Sequence, residues 1–374
     1  MGGNNIARIK SSWRKRIIIR NYYETDFKKK ALLVYIISPF REKNGFHHQN
    51  YLTAHCIADV LNVLEYKVDI CDYGCNARID YQQYNLVFGF GSCFDKSIVE
   101  TNVRTKKIVF LTGAHFLFQN KMTMQMQQLF YEKYGCYCIE EARLANENGG
   151  VAGYFLADAA VQMGNEVNKG ILSEYFRNPI YCIGNTVYDL PVRMLDFAPR
   201  NFIFVVGSGV VHKGLPMVLE YFKQRQDLKL TIFMHHISST IRKLFNQHLF
   251  DLPNITTFVG KTMVSEEMHD AVKQSTFAIN MSCSEAVCGS TIQLMSYGVI
   301  PIVTKYDNID LESKGILIDG FDESNLDNAI KNAISLSDED ILIKRKKCQD
   351  YVKEKHNSVV FKRDLTQYIM DIMK

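Results

Sequence analysis

Apolar residues along this chain fall into two rhythms that alternate from residue 31 onward. Residues 31–37 form an unbroken apolar run rich in β-branched and aromatic side chains, the mark of a strand buried on both faces. Residues 51–64 then carry Leu52, Cys56, Ala58, Val60, Leu61 and Leu64 at helical spacing. Further strands are predicted at 66–71, 85–90, 107–111, 157–163 and 180–183, with a Met- and Gln-rich helix at 122–134. A polar stretch at 187–200, bearing Pro191 and Pro199, reads as a linker. Past it the pattern restarts, with strands at 202–206, 228–234, 255–258, 277–281, 299–304 and 315–318. Helices are predicted at 216–225, 265–274, 290–297, 324–336, 338–354 and 359–373. This alternation predicts an α/β chain of two Rossmann-like domains, each a doubly wound parallel sheet, at 31–190 and 200–358.

Composition sharpens the picture. At 374 residues the chain exceeds one ordinary core, and its 47% hydrophobic content excludes wholesale disorder. No apolar run approaches the roughly 20 residues that span a bilayer. The short run at 17–19 is no secretory signal, so a cytoplasmic location is expected. The ten cysteines include no Cys-x-x-Cys pair, so they read as reduced, buried thiols, and no metal site is expected.

Charge is uneven. Residues 1–30 hold nine basic side chains against Glu24 and Asp26, a balance of +7, while the whole chain is +4. With Trp13, Ile17, Ile18, Tyr22 and Tyr23, this segment is expected to dock on an anionic membrane surface. A solvated tail is the alternative reading. The remaining residues are slightly acidic, which argues against a nucleic-acid partner.

Two segments carry candidate chemistry. At 277–304 a strand, a loop of small residues, a helix and a second strand follow one another, with Glu285 in the loop. That order puts Glu285 and a helix N-terminus at the carboxyl edge of a parallel sheet, where ligands bind. Helix N–H groups suit a diphosphate and the carboxylate suits sugar hydroxyls, so the pair fits a nucleotide-sugar. The second segment, at 202–214, is a strand entering a glycine loop. As a dinucleotide fingerprint it fails at His212, and as a P-loop it lacks Gly-Lys-Ser/Thr. Lys213 is nevertheless well suited to a phosphate.

These segments resemble retaining GT-B glycosyltransferases of family 4. The family's donor signature is Ser-x-x-Glu, seven residues, Glu, then a helix ending in Gly-x-Pro. Ser282, Glu285, Gly298 and Pro301 match, with one extra residue between the last two, but Gln293 stands at the second Glu. The family's Gly-Arg…Lys-Gly loop is matched by Gly207, Lys213 and Gly214, with Ser208 at the Arg.

The resemblance implies two domains across a cleft and a last helix, 359–374, that returns to the first domain. It implies sugar transfer from a nucleoside diphosphate-sugar to a glycan or lipid-linked acceptor, with retention, without cofactor or metal, in cell-surface polysaccharide or lipopolysaccharide biosynthesis. Lys213 would stabilise the leaving diphosphate, Glu285 and His115 would hold the sugar, and Gly207, Ser208, Gly260, Cys288, Gly289, Ser290, Thr291 and Gln293 would surround the donor. Gly45, His47 and His48 would line the acceptor side. Lys305, Lys261 or a basic group from the other domain would have to replace the missing Arg. Arg143 and Glu141 read as a solvated face. Two other readings stay open: a nucleotide-sugar epimerase of the same fold, and a non-catalytic nucleotide-sugar binder.

Overall fold

The computed structural model describes residues 17–42, 48–101, 103–145, 150–190 and 200–374. They form two compact units. In the first unit the apolar runs become a seven-stranded sheet: β1 (Ile18–Ile19), β2 (Lys29–Tyr35), β3 (Tyr66–Asp72), β4 (Leu86–Gly89), β5 (Lys106–Leu111), β6 (Ala159–Met163) and β7 (Ile180–Ile183). The order is β1-β3-β2-β4-β5-β6-β7. All pairs are parallel except β1 with β3. Leu33 lies opposite Ile70 and Phe88, all fully buried, which is why the run at 31–37 shows no polar alternation.

Helices α1 (Asn50–Val63), α2 (Ser92–Glu100), α3 (Phe116–Tyr134), α4 (Gly153–Leu156) and α5 (Glu166–Ser173) fall between these strands. Residues 117–144, expected in the first domain, group instead with the second unit. The reason is packing, because Met122, Met126 and Phe130 of α3 join the second unit's core with Phe204, Val210 and Phe245. Residues 17–30 are the described part of the basic segment. They are folded into the first unit rather than left as a basic tail: Arg20 pairs with Asp69 at 2.7 Å, the Tyr22 N–H donates to the Val68 carbonyl, and the Tyr23 hydroxyl donates to Asp59. Trp13 and the basic groups up to Arg16 lie outside the described residues.

The second unit holds a fully parallel six-stranded sheet, with β8 (Phe202–Val206), β9 (Leu230–Met234), β10 (Ile255–Val259), β11 (Phe277–Asn280), β12 (Ile300–Val303) and β13 (Ile316–Leu317) in the order β10-β9-β8-β11-β12-β13. Its helices are α6 (Leu215–Gln224), α7 (Ser239–Phe250), α8 (Glu266–Gln274), α9 (Gly289–Ser296), α10 (Glu323–Ile334) and α11 (Asp338–Lys355). The last helix, α12 (Ser358–Met373), belongs to the first unit. There it packs on α1, with Lys362 3.4 Å from Asp59, and Tyr368 donates to the Cys182 carbonyl.

Candidate functional site

The chain leaves β8 through Gly207 and Ser208, both exposed, and turns into α6 across Gly214. Gly214 has φ +74°, and a Cβ there would lie 2.6 Å from the Met281 Cβ. Only glycine lets this loop meet the end of β11 so closely. That approach seats Lys213, 7% exposed, against the loop after β11. Its Nζ lies 2.6 Å from Glu285 Oε1.

Two further donors reach the same oxygen: Arg143 NH1 at 3.0 Å and the Ser282 hydroxyl at 3.0 Å. Burial alone would raise the Glu285 carboxyl, but the charges of Arg143 and Lys213 outweigh it and hold the group well below the usual carboxylate range. Burial likewise opposes the Lys213 ammonium, yet Cys288 and Glu285 keep its pKa raised. Glu285 raises Arg143 as well. The result is two cations on one carboxylate, a cluster with one net positive charge.

Arg143 was not expected here. It reaches the site because the segment just before it is tied down. Glu141, buried, accepts the N–H groups of Gly209 and Val210 at 3.1 and 3.2 Å. Glu140 accepts the Thr240 N–H at the start of α7. Arg143 then lies along Gly209, where a Cβ would come within 2.5 Å of its Cδ. A guanidinium therefore reaches Glu285 from a part of the chain far from Ser208. The other substitutes lie elsewhere: Lys261 pairs with Glu267, and Lys305 stands over the Tyr306 ring.

The floor of the site is polar and closed. Asn308 donates to the Glu285 carbonyl, and the Glu285 N–H donates to Tyr306. Burial first, and Glu285 second, push the Asp307 carboxyl far above its ordinary value, and the Asn280 Nδ2 donates to its Oδ1 at 2.5 Å. Asn280 also reaches the Cys288 sulfur at 3.0 Å. Cys288 is the N-cap of α9, which continues through Gly289, Ser290 and Thr291. The Ser290 hydroxyl, 3.4 Å from the Val205 carbonyl, ties α9 to the end of β8. His212 braces the loop, with Nε2 2.7 Å from the Ser284 carbonyl and Nδ1 3.0 Å from the Thr123 hydroxyl. Burial, and then Arg143, lower its pKa to about 4.

Lys213, Glu285 and Cys288 are therefore brought together, with Gly289, Ser290 and Thr291 opening α9 next to them. Other expected residues go elsewhere. Gln293 is 1% exposed and engages the linker: its Oε1 accepts the Tyr188 N–H at 2.9 Å, and its Nε2 donates to the Tyr188 carbonyl at 2.9 Å and the Tyr297 hydroxyl at 3.0 Å. A carboxylate could not make these donations, which explains a Gln at this position.

Gly260 is exposed after β10, with its N–H on the Met234 carbonyl. His115, expected to hold the sugar, is a core residue of the first unit. It is 1% exposed, stacked on Tyr175 at 4.0 Å and flanked by Tyr154 and Phe155, with neither ring nitrogen hydrogen-bonded. Burial lowers its pKa to about 4. His48 is exposed and its Nδ1 accepts the Asn50 N–H at the start of α1, while Gly45 and His47 lie outside the described residues.

No family model and no curated protein sequence matches the chain. Solved structures do. Sucrose-phosphate synthase from Thermosynechococcus elongatus superposes with a TM-score of 0.65 at 12% identity, covering 92% of this chain and 99% of that one. WaaG, a glycosyltransferase involved in lipopolysaccharide biosynthesis, gives 0.56 at 10% identity, covering 92% and 99%. The pneumococcal O-GlcNAc transferase GtfA, in complex with UDP and GlcNAc, gives 0.53 at 13%, covering 89% of this chain and 62% of that one. With two parallel-sheet α/β units and these neighbours, the chain has the GT-B fold.

Proposed function

We propose that this protein is a glycosyltransferase that moves a sugar from a nucleoside diphosphate-sugar to a hydroxyl of a glycan or lipid-linked glycan. The observation that carries the reading is the convergence of Lys213 and Arg143 on Glu285, next to the N-terminus of α9. As the bond from the sugar to the diphosphate breaks, the electron pair leaves with the diphosphate. Cations placed in advance, together with a helix dipole, stabilise that charge without reorganising. The acceptor oxygen forms the new bond, and its proton passes to the departing diphosphate. Glu285 keeps both cations in place and offers its carboxylate to a sugar hydroxyl. Among the neighbours, GtfA is solved with UDP and GlcNAc and WaaG acts in lipopolysaccharide biosynthesis, which supports a nucleotide-sugar donor and a cell-surface glycan product. Retention, a metal-free donor complex and work at the cytoplasmic membrane face belong to the same proposal.

The test is calorimetric titration with UDP, GDP, ADP, CMP and TDP, followed by turnover of the matching sugar donors. One diphosphate is expected to bind selectively. Lys213→Ala and Arg143→Ala should each weaken it by about 10-fold or more, as loss of a charged hydrogen-bond partner does. Absence of binding by any diphosphate at millimolar concentration would remove the proposal. Binding without turnover would favour a non-catalytic role.

A further inference from the structure

In the first unit three cysteines that no sequence motif links come together. Cys71 is the penultimate residue of β3, Cys75 sits in the turn that follows, and Cys93 lies in the first turn of α2. Their sulfurs all fall within 4.8 Å of one another, and those of Cys71 and Cys93 are 3.5 Å apart. All three residues are buried.

The backbone is built to make this happen. Gly91, with φ +91°, lets the start of α2 press against the turn, since a Cβ there would meet the Tyr73 carbonyl at 2.6 Å. The Cys93 N–H donates to that same carbonyl, and the Cys75 N–H closes the turn on the Asp72 carbonyl. The Tyr81 hydroxyl donates to the Cys93 carbonyl at 2.8 Å and stands 3.3 Å from its sulfur.

We propose that Cys71, Cys75 and Cys93 form a three-thiolate site for one thiophilic cation, copper(I) in preference to zinc(II). At a metal–sulfur distance of roughly 2.3 Å, ligand sulfurs sit a little under 4 Å apart, within the spread seen here. Soft thiolates select soft ions. Among the described residues no fourth His, Cys or carboxylate joins the cluster, and three ligands suit copper(I) better than the four-coordinate habit of structural zinc. Binding would displace the thiol protons and pin the end of β3 to the start of α2. The site is independent of the sugar-transfer reading.

The test uses the full chain, reduced and stripped with a chelator, then offered copper(I) or zinc(II) in competition with a chromophoric chelator. One copper(I) per chain is expected, with release of protons and thiolate-to-metal absorption, and with weaker uptake of zinc(II). Cys75→Ser, in the turn, should weaken binding beyond the roughly 10–100-fold that losing an outer-shell partner costs, whereas Cys348→Ser should change nothing. The proposal fails if the wild-type chain takes up no equivalent of either ion. It also fails if Cys75→Ser binds copper(I) as well as wild type, or if the chain purifies with a Cys71–Cys93 disulfide. Should Cys75→Ser not fold, proton release and absorption on wild type still decide.

Discussion

At the scale of single residues, what could be read in the sequence was what lies close together in it. Lys213 beside Gly214, and Glu285 three residues after Ser282, declare themselves by spacing. Arg143 does not, because it reaches Glu285 across 142 positions of chain, and an Arg in a polar stretch looks like any solvated Arg. The cue was negative: a donor loop with Ser208 where a cation was needed. Gln293, at a matched position of the resembling family's signature, holds the linker at Tyr188. Replacing it by Glu, the residue of the resembling family, should not improve donor binding. It would remove the donations to the Tyr188 carbonyl and the Tyr297 hydroxyl and bury an extra charge. We expect Gln293→Glu to cost about 2–3 kcal/mol, measured as a lower denaturation midpoint in urea; a variant as stable as wild type would contradict the role given to this amide.

At the scale of elements, strand runs were legible because both faces of a parallel sheet are apolar. The helices missed were the shorter or more polar ones, such as α2 and α5, where few apolar positions mark the period. In α7 the period is present at Ile241, Phe245 and Leu249, so that helix was within reach. The placement of α3 was not. Its Met- and Gln-rich face says that it is buried, but not against which sheet, since that depends on contacts far apart in sequence.

Two glycines on the loop between β8 and α6 separate fold from function. Gly214→Ala would combine an unfavourable φ with a contact at a Cβ close to the backbone, so it should destabilise by more than about 2 kcal/mol. Gly209→Ala shares the positive φ but meets the Cγ and Cδ of the Arg143 side chain rather than a Cβ held on the backbone. It should cost less stability while displacing the guanidinium. Its diphosphate affinity is expected to fall about as far as that of Arg143→Ala, whose loss removes a charged hydrogen-bond partner. Titration of the two variants side by side checks this, and unaltered affinity in Gly209→Ala would show that Arg143 does not depend on that close approach.

At the scale of the whole molecule, three buried histidines tie stability to pH. Burial lowers His115 and His212 to about 4 and His356 to about 3, against an ordinary 6.5. His212 is lowered further by Arg143, and His115 packs among the rings of Tyr154, Phe155 and Tyr175. In each case the unfolded chain takes up a proton that the folded chain refuses. Stability is therefore fully present above pH 6.5 and is lost as pH falls toward 4. At pH 5 the loss is about 2 kcal/mol for each histidine, a large fraction of a domain's usual 5–15 kcal/mol in total. Glu285, held low by its two cations, adds to the loss only below the ordinary carboxylate range, so it does not blur this window. The burden is unequal, since His115 lies in the first unit and His212 and His356 in the second. Asp307, raised in the folded second unit, takes up a proton on folding and offsets that unit's loss, so calorimetry between pH 7.5 and 5 should show the first unit's transition moving down. His115→Phe should flatten the pH dependence of the first transition while leaving the second alone. Transitions that stay level across this range would mean that these imidazoles take up protons in the folded chain as readily as in the unfolded one.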